Sequence, residues 1–207
     1  MLHRAAGVRS GQSALVSGAN GGVGTAALEL FRVAGIRAIG AASPKHFDLV
    51  RELGAEPIAS RDKPLDEGVL AILPEGVDAA FDNLGGARTR EHVRATKRGG
   101  IVVGVGFMAT GGSTLTTLRG FASLYAGARI ADRRSTFYGI TKLYKDDRRP
   151  FLEDLPKLFT LLAARTIRPK IAAVLPLLDG RRAQEMLERG NIVGKIVLAR
   201  DNASSGV

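Results

Sequence analysis

Short apolar runs alternate with longer amphipathic stretches through the first half of the chain. The runs fall at 13–17, 37–41, 57–59, 77–81 and 101–105, each short enough for a buried strand. Between them, apolar residues recur at helical spacing over 23–34, 44–53, 66–73 and 89–96. Strands alternating with helices in this way predict βαβ units and a parallel sheet covered on both faces. A sixth strand near 135–138 would complete a doubly wound α/β (Rossmann) sheet in the order 3-2-1-4-5-6. Residues 108–117 are small and rich in glycine and threonine, which reads as a loop. Phe151, Leu155, Leu158, Phe159 and Leu162 share one face of a helix expected over 151–164. A tail follows, strand-like at 172–175 and 195–199, with a helix near 181–189 and a frayed end from Asp201.

The junction of the first strand and the first helix carries the clearest chemistry. Ser13-Ala14-Leu15-Val16-Ser17 leads into Gly18-Ala19-Asn20-Gly21-Gly22-Val23-Gly24. Glycines let the backbone take conformations closed to other residues, and the first-turn N–H groups of the helix then face a phosphate. Strand before, glycines at 21 and 24, and helix after meet the context of a dinucleotide fingerprint. Ala19, Asn20, Gly21, Gly22, Val23 and Gly24 are therefore candidate cofactor-binding residues; the alternative is a tight turn with no ligand. A carboxylate introduced at Gly22 or Gly24 is expected to abolish binding and leave the fold standing.

Composition narrows the field. A chain of 207 residues suits one domain, or one with a small appendage. With no cysteine there are no disulfides and no thiolate ligands or nucleophiles, and His3, His46 and His92 lack metal-ligand spacing. No metal is expected. The N-terminus has no hydrophobic signal core and no apolar run approaches a membrane span, so a cytoplasmic protein without a membrane partner is expected. The net charge of +10 admits nucleic acid as a partner. The basic pairs at 97–98, 133–134, 148–149 and 181–182 are nevertheless dispersed, unlike the clustered stripe of nucleic-acid binders.

The motifs together resemble the quinone-oxidoreductase-like, zinc-free branch of the medium-chain dehydrogenase/reductase superfamily. They are Ala19-Asn20-Gly21-Gly22-Val23-Gly24, Glu52-Leu53-Gly54-Ala55, Phe81-Asp82-Asn83-Leu84-Gly85-Gly86, Gly99-Gly100-Ile101-Val102-Val103-Gly104 and Gly194-Lys195-Ile196-Val197-Leu198. The resemblance implies a Rossmann cofactor domain over 1–168 and, over 169–207, a segment that in relatives completes the catalytic domain. Relatives are longer and begin with a β-rich, GroES-like catalytic domain that has no counterpart here. A shortened gene, a separate chain supplying that domain, and a domain that only binds nucleotide would each account for this. Catalytic residues stay unassigned.

The end of the second strand bears on the cofactor. An NAD site usually carries an acid there for the ribose 2′-hydroxyl. This chain has Ala42, Ser43 and Lys45 and no acid, which suits the 2′-phosphate of NADP(H). Asn83 resembles a family position close to the dinucleotide, and Gly104, Val105, Gly106 and Phe107 resemble the segment that holds the nicotinamide end. Arg61, after the third strand, could stack on adenine, reach the 2′-phosphate or stay solvated.

The expected function is NADP(H)-dependent reduction of a small-molecule quinone, enone or related carbonyl compound. The alternative is a non-catalytic dinucleotide-binding module, and RNA binding in the same crevice comes last. The resemblance also implies a homodimer joined edge to edge through the sixth strands, whose open backbone groups a twofold pairing would satisfy.

Overall fold

The computed structural model describes residues 1–59, 63–106, 113–190 and 192–200. β1 (Ser13–Ser17) sits at the centre of a six-stranded sheet and is buried at every residue. Around it lie β2 (Arg37–Ala42), β3 (Ala55–Ala59), β4 (Val77–Asp82), β5 (Thr96–Gly104) and β6 (Arg134–Phe137). All pair in parallel, in the order β3-β2-β1-β4-β5-β6, as the alternation of strand and helix predicts. Side chains alternate across the sheet, so the two faces have separate cores. On one face α1 (Gly22–Val33) and α2 (Phe47–Glu52) bring Leu28, Phe31 and Val50 onto Val16 and Phe81. The Phe31 and Phe81 rings stand 5.4 Å apart, tilted. Across the sheet, α3 (Leu65–Ile72) and the end of α4 (Thr89–Ala95) cover Leu15 and Ile39 with Leu65, Val69 and Ala95. Each such side chain, fully buried, contributes about 1.5–3 kcal/mol.

At the N-terminal ends of the strands, Asp78 ties β1 to β4 and β5. Its carboxylate accepts from the Ser13 N–H and hydroxyl, both at 2.9 Å, and pairs with Lys97 at 2.6 Å. Burial pulls this carboxyl's pKa up, but Lys97 and the Ser13 donors outweigh burial and hold it below the usual value.

After β5 the chain forms α5 (Thr114–Ala122), a wide helical turn (Ser123–Gly127) and α6 (Ala128–Ile130). α7 (Ile140–Asp146) and α8 (Arg149–Ala163) follow β6. The tail forms a second, two-stranded parallel sheet, β7 (Ile171–Pro176) and β8 (Lys195–Ala199), joined through α9 (Gly180–Glu188). Its approach is anchored by Lys170 on Glu52 at 2.6 Å and by the Arg168 N–H on the buried Glu29 carboxylate at 2.6 Å.

Several expectations change. The helix expected over 44–53 is a 3₁₀ turn, Pro44–His46, followed by α2, with His46 at φ −111° and ψ 10° breaking the run between them. β5 begins at Thr96, five residues before the expected start, and pairs with β4 through an irregularity between Val77 and Ala79. Within the expected loop at 108–117, residues 108–112 lie outside the described part and Thr114 already starts α5. Ser113 caps that helix by accepting the Thr116 N–H. β6 ends at Phe137 rather than at 138. Of the expected apolar face of α8, Leu155, Leu158, Phe159 and Leu162 are exposed, as is Leu152 beside them, while Phe151 is partly buried against Tyr144.

Candidate functional site

The strand order reverses beside β1, so a crevice opens outside the C-terminal ends of β1 and β4. The turn leaving β1 is closed by the Gly21 N–H donating to Gly18 O at 2.9 Å, with Gly18 in the left-handed region at φ +65°. Gly21 then caps α1 in extended conformation, and both the N–H and the hydroxyl of Thr25 donate to its carbonyl. No side chain caps this helix and no acid stands in its first turn. The N–H groups of Gly22, Val23 and Gly24 thus have no partner within the helix and carry the positive end of its dipole. Those are the donors a pyrophosphate needs, and the residues fit it.

Gly22 and Gly24 play different parts. A Cβ at Gly24 would stand 2.2 Å from Gly18 O and 2.6 Å from Ala19 Cα, so this glycine lets helix and turn touch. The expectation that a carboxylate there spares the fold is corrected: backbone atoms block it. At Gly22 the nearest atoms are the Lys195 side chain at 2.9 Å and Gly194 O at 3.3 Å.

Ala19 and Ala42 are buried and can offer only backbone to a ligand. Ser43 stands at the cap position beyond β2, at φ −66° and ψ 145°, yet its hydroxyl makes no capping bond. Beside it, Lys45 is exposed and no acid lies in the first turn. Burial, and then the Lys45 charge, push the His46 imidazole below its ordinary pKa. Its Nε2 is buried without a hydrogen-bond partner.

Asn83 is buried and braces the crevice. Its side-chain amide donates to Ser17 O at 2.8 Å, and its N–H donates to Ser17 Oγ at 3.1 Å. Gly106 packs over it, since a Cβ there would meet Asn83 O at 3.0 Å. The N–H groups of Val105 and Gly106 both donate to Asp82 O, which sets the path of the chain leaving β5. The structure thus brings 19–24, Asn83 and 104–106 together at one end of the sheet. Phe107 and Arg61 lie outside the described residues.

Sequence reasoning missed three contributors. Ser17 bridges β1 to β4 through the bonds just given. Asp82, almost wholly buried, accepts from the N–H groups of Leu84 and Gly85 at 2.9 and 2.8 Å and from the Thr89 hydroxyl at 2.7 Å. Its signal was the Asp-Asn-Leu-Gly-Gly run, a turn motif whose acid serves its own backbone. The tail is the third. Gly194 donates its N–H to Asn20 O at 2.9 Å and bridges to Gly21, while the Asn20 amide reaches Ile192 O at 3.4 Å.

Of the two tyrosines on this side, Tyr138 is half-buried at the end of β6, its N–H on Gly104 O at 2.8 Å. Burial first, and Asp154 second, raise its phenol pKa, so it stays a hydroxyl donor at neutral pH. Tyr125 is exposed and stacks on Phe121. A cavity of about 370 Å³, lined by Arg4, Phe137, Tyr138, Leu143, Phe151 and Asp154 among others, shares no residue with the glycine turn.

The donors present do not fit a zinc site. There is no cysteine, and the described residues hold no group of three or more potential ligands. The His3 and His92 Nδ1 atoms instead face the backbone carbonyls of Val8 and Arg88 at 2.9 and 3.0 Å. Among the described residues no helix is long and apolar enough to cross a membrane.

The profile of the zinc-binding dehydrogenase family matches residues 53–198. Among curated proteins, the synaptic vesicle membrane protein VAT-1 homolog of Mus musculus is 28% identical over 200 residues, 92% of this chain and 49% of its own length. Prostaglandin reductase 1 of Oryctolagus cuniculus is 32% identical over 111 residues, 52% of this chain and 32% of that one. The quinone oxidoreductase of Coxiella burnetii superposes with a TM-score of 0.71 at 26% identity, covering 92% of this chain and 53% of that structure. The chain spans about half the length, or less, of these relatives. With the profile matched from just before β3 into β8 and the strand order shared, the chain belongs to the zinc-binding dehydrogenase family, in the quinone-oxidoreductase-like branch of the medium-chain dehydrogenase/reductases.

Proposed function

We propose that this chain is the cofactor-binding part of an NADP(H)-dependent oxidoreductase that moves hydride between nicotinamide and a quinone, an enone or a related carbonyl compound. Family membership implies a nicotinamide dinucleotide, and the names of the quinone oxidoreductase and prostaglandin reductase relatives support the reaction class. One observation carries the reading. The first turn of α1 is uncapped, free of acid, and faces the crevice where the strand order reverses.

Bound there, the nicotinamide would supply the hydride chemistry at its C4. The chain's own work is to hold and orient. Gly22, Val23 and Gly24 donate backbone N–H groups to the pyrophosphate. Ser43 and Lys45, at the end of β2, serve the 2′-phosphate, where an acid would repel it. Asn83 and 104–106 fix the floor on which the nicotinamide end rests.

The preference for NADP(H) is tested by titrating the protein and Lys45→Ala with NADPH and NADH. Losing a hydrogen bond between charged groups should weaken NADPH by about 1.5–3 kcal/mol and leave NADH unchanged. Equal losses for both would refute the 2′-phosphate assignment. A panel of quinones and enones with NADPH then tests turnover. Tight binding without turnover would instead fit a dinucleotide-binding module.

A further inference from the structure

The tail sheet reaches the glycine turn from a part of the chain far away in sequence, with 172 residues separating Asn20 from Ile192. Gly194 sits there in the left-handed region at φ +78°, and a Cβ on it would stand 2.0 Å from Lys170 O. Only glycine makes that approach. It delivers Lys195 as the first residue of β8, its N–H on Lys170 O at 3.0 Å. The Lys195 side chain then runs over the start of α1, with Cγ and Nζ 2.9 and 3.0 Å from where a Gly22 Cβ would be.

Lys195 is exposed, so water tempers but does not remove the cost of a cation here. A helix N-terminus carries partial positive charge, so an ammonium beside it is repelled. Among the described residues no carboxylate lies within ion-pair distance of the Lys195 ammonium. An anion between the ammonium and the helix N–H groups would satisfy both. The dinucleotide proposed for this crevice brings such a group, its pyrophosphate, to that place.

We infer that Lys195 is a binding residue for the cofactor pyrophosphate, so that the β7–β8 unit closes the phosphate site from the side opposite α1. The inference rests on the dinucleotide reading of the glycine turn and adds two things. One is a charged side chain for a subsite otherwise built from backbone. The other is a coupling: docking of the tail and binding of the dinucleotide reinforce each other, because each supplies part of the other's partners.

The pyrophosphate is common to both nicotinamide dinucleotides. Lys195→Gln should therefore weaken NADPH, NADH and ADP by a similar factor of about ten or more, as expected of one lost hydrogen bond to a charged group. Adenosine, which has no phosphate, should bind the variant and the parent alike. Lys195→Arg should restore most of the affinity. Circular dichroism establishes that each variant is folded. As a second measurement on the unmutated chain, NADPH should slow tryptic cleavage after Arg189 and Lys195, while adenosine should not. Unchanged NADPH and ADP affinity in folded Lys195→Gln would overturn the inference and leave the glycine-turn reading intact, as would tail cleavage indifferent to NADPH. If the parent chain binds no dinucleotide at all, both readings fall.

Discussion

Gly24 offers a sharp test of how turn and helix meet. Its absent Cβ would lie 2.2 Å from Gly18 O, 2.6 Å from Ala19 Cα and 2.8 Å from Gly18 C, where ordinary contact begins at 3.4 Å. All three are backbone atoms, so no side chain can rotate away. Gly24→Ala must push α1 off the end of β1, and overpacking of this kind costs roughly 3 kcal/mol, the upper end of its usual range. In a domain of this size each kcal/mol lowers the melting temperature by about 2–4 °C, which gives a drop of roughly 6–12 °C. Gly22→Ala is the control. Its Cβ would meet chiefly the Lys195 side chain, Cγ at 2.9 Å and Nζ at 3.0 Å, which can swing aside where backbone cannot. That variant should melt close to the parent. Thermal unfolding followed by circular dichroism decides the matter. A Gly24→Ala melting point level with that of Gly22→Ala would refute the packing role. For the same reason the clean probe of phosphate binding is Gly22→Asp, whose carboxylate would pair with Lys195 while blocking the anion.

Asp78 is held below its ordinary pKa, so the stability it contributes is fully present above the usual aspartate value and is lost as pH falls through the lowered one. Asp78→Asn should therefore lower the melting temperature at pH 7 and flatten its fall below about pH 4, near the unperturbed aspartate value; parallel curves for variant and parent would contradict this. Among the described residues the outer edge of β6 has no strand partner, and sheet extension predicts a homodimer. Phe137 is a poor probe, because it packs on Phe121 and Leu124. The N–H of Tyr138 points to β5, so by alternation that of Ser135 points outward. Ser135→Pro should convert a dimer to a monomer in light scattering without unfolding it, and a monomeric parent or an unaffected dimer would reject this mode.

Most of the sheet was legible because its signals are local. β1 is an apolar run closed by glycines, and the alternation of such runs with amphipathic stretches dictates a parallel order. α5 was missed because threonines at 114, 116 and 117 mask a helix whose start was nonetheless marked by Ser113 as its cap. The start of β5 was missed because Lys97-Arg98-Gly99-Gly100 looks like a turn and becomes strand only through pairing with β4. Within the site, the glycines and Ser43 announce themselves by type. Nothing near Asn20 signals that Gly194 will bond to it, since a contact across most of the chain leaves no local trace. Ser17 hides likewise: a serine ending a strand is ordinary, and only the register of β1 on β4 places it under Asn83.

The bare apolar face of α8 also shapes how this chain behaves in a test tube. At low ionic strength a net charge of +10 keeps copies apart, and five large exposed side chains on one helix have little chance to meet. Salt removes that protection, since charges farther apart than about 10 Å are screened at 0.1 M. Sulfate also strengthens apolar association by being excluded from protein surface. Solubility should therefore fall steeply as ammonium sulfate is added, well before the folded core is affected.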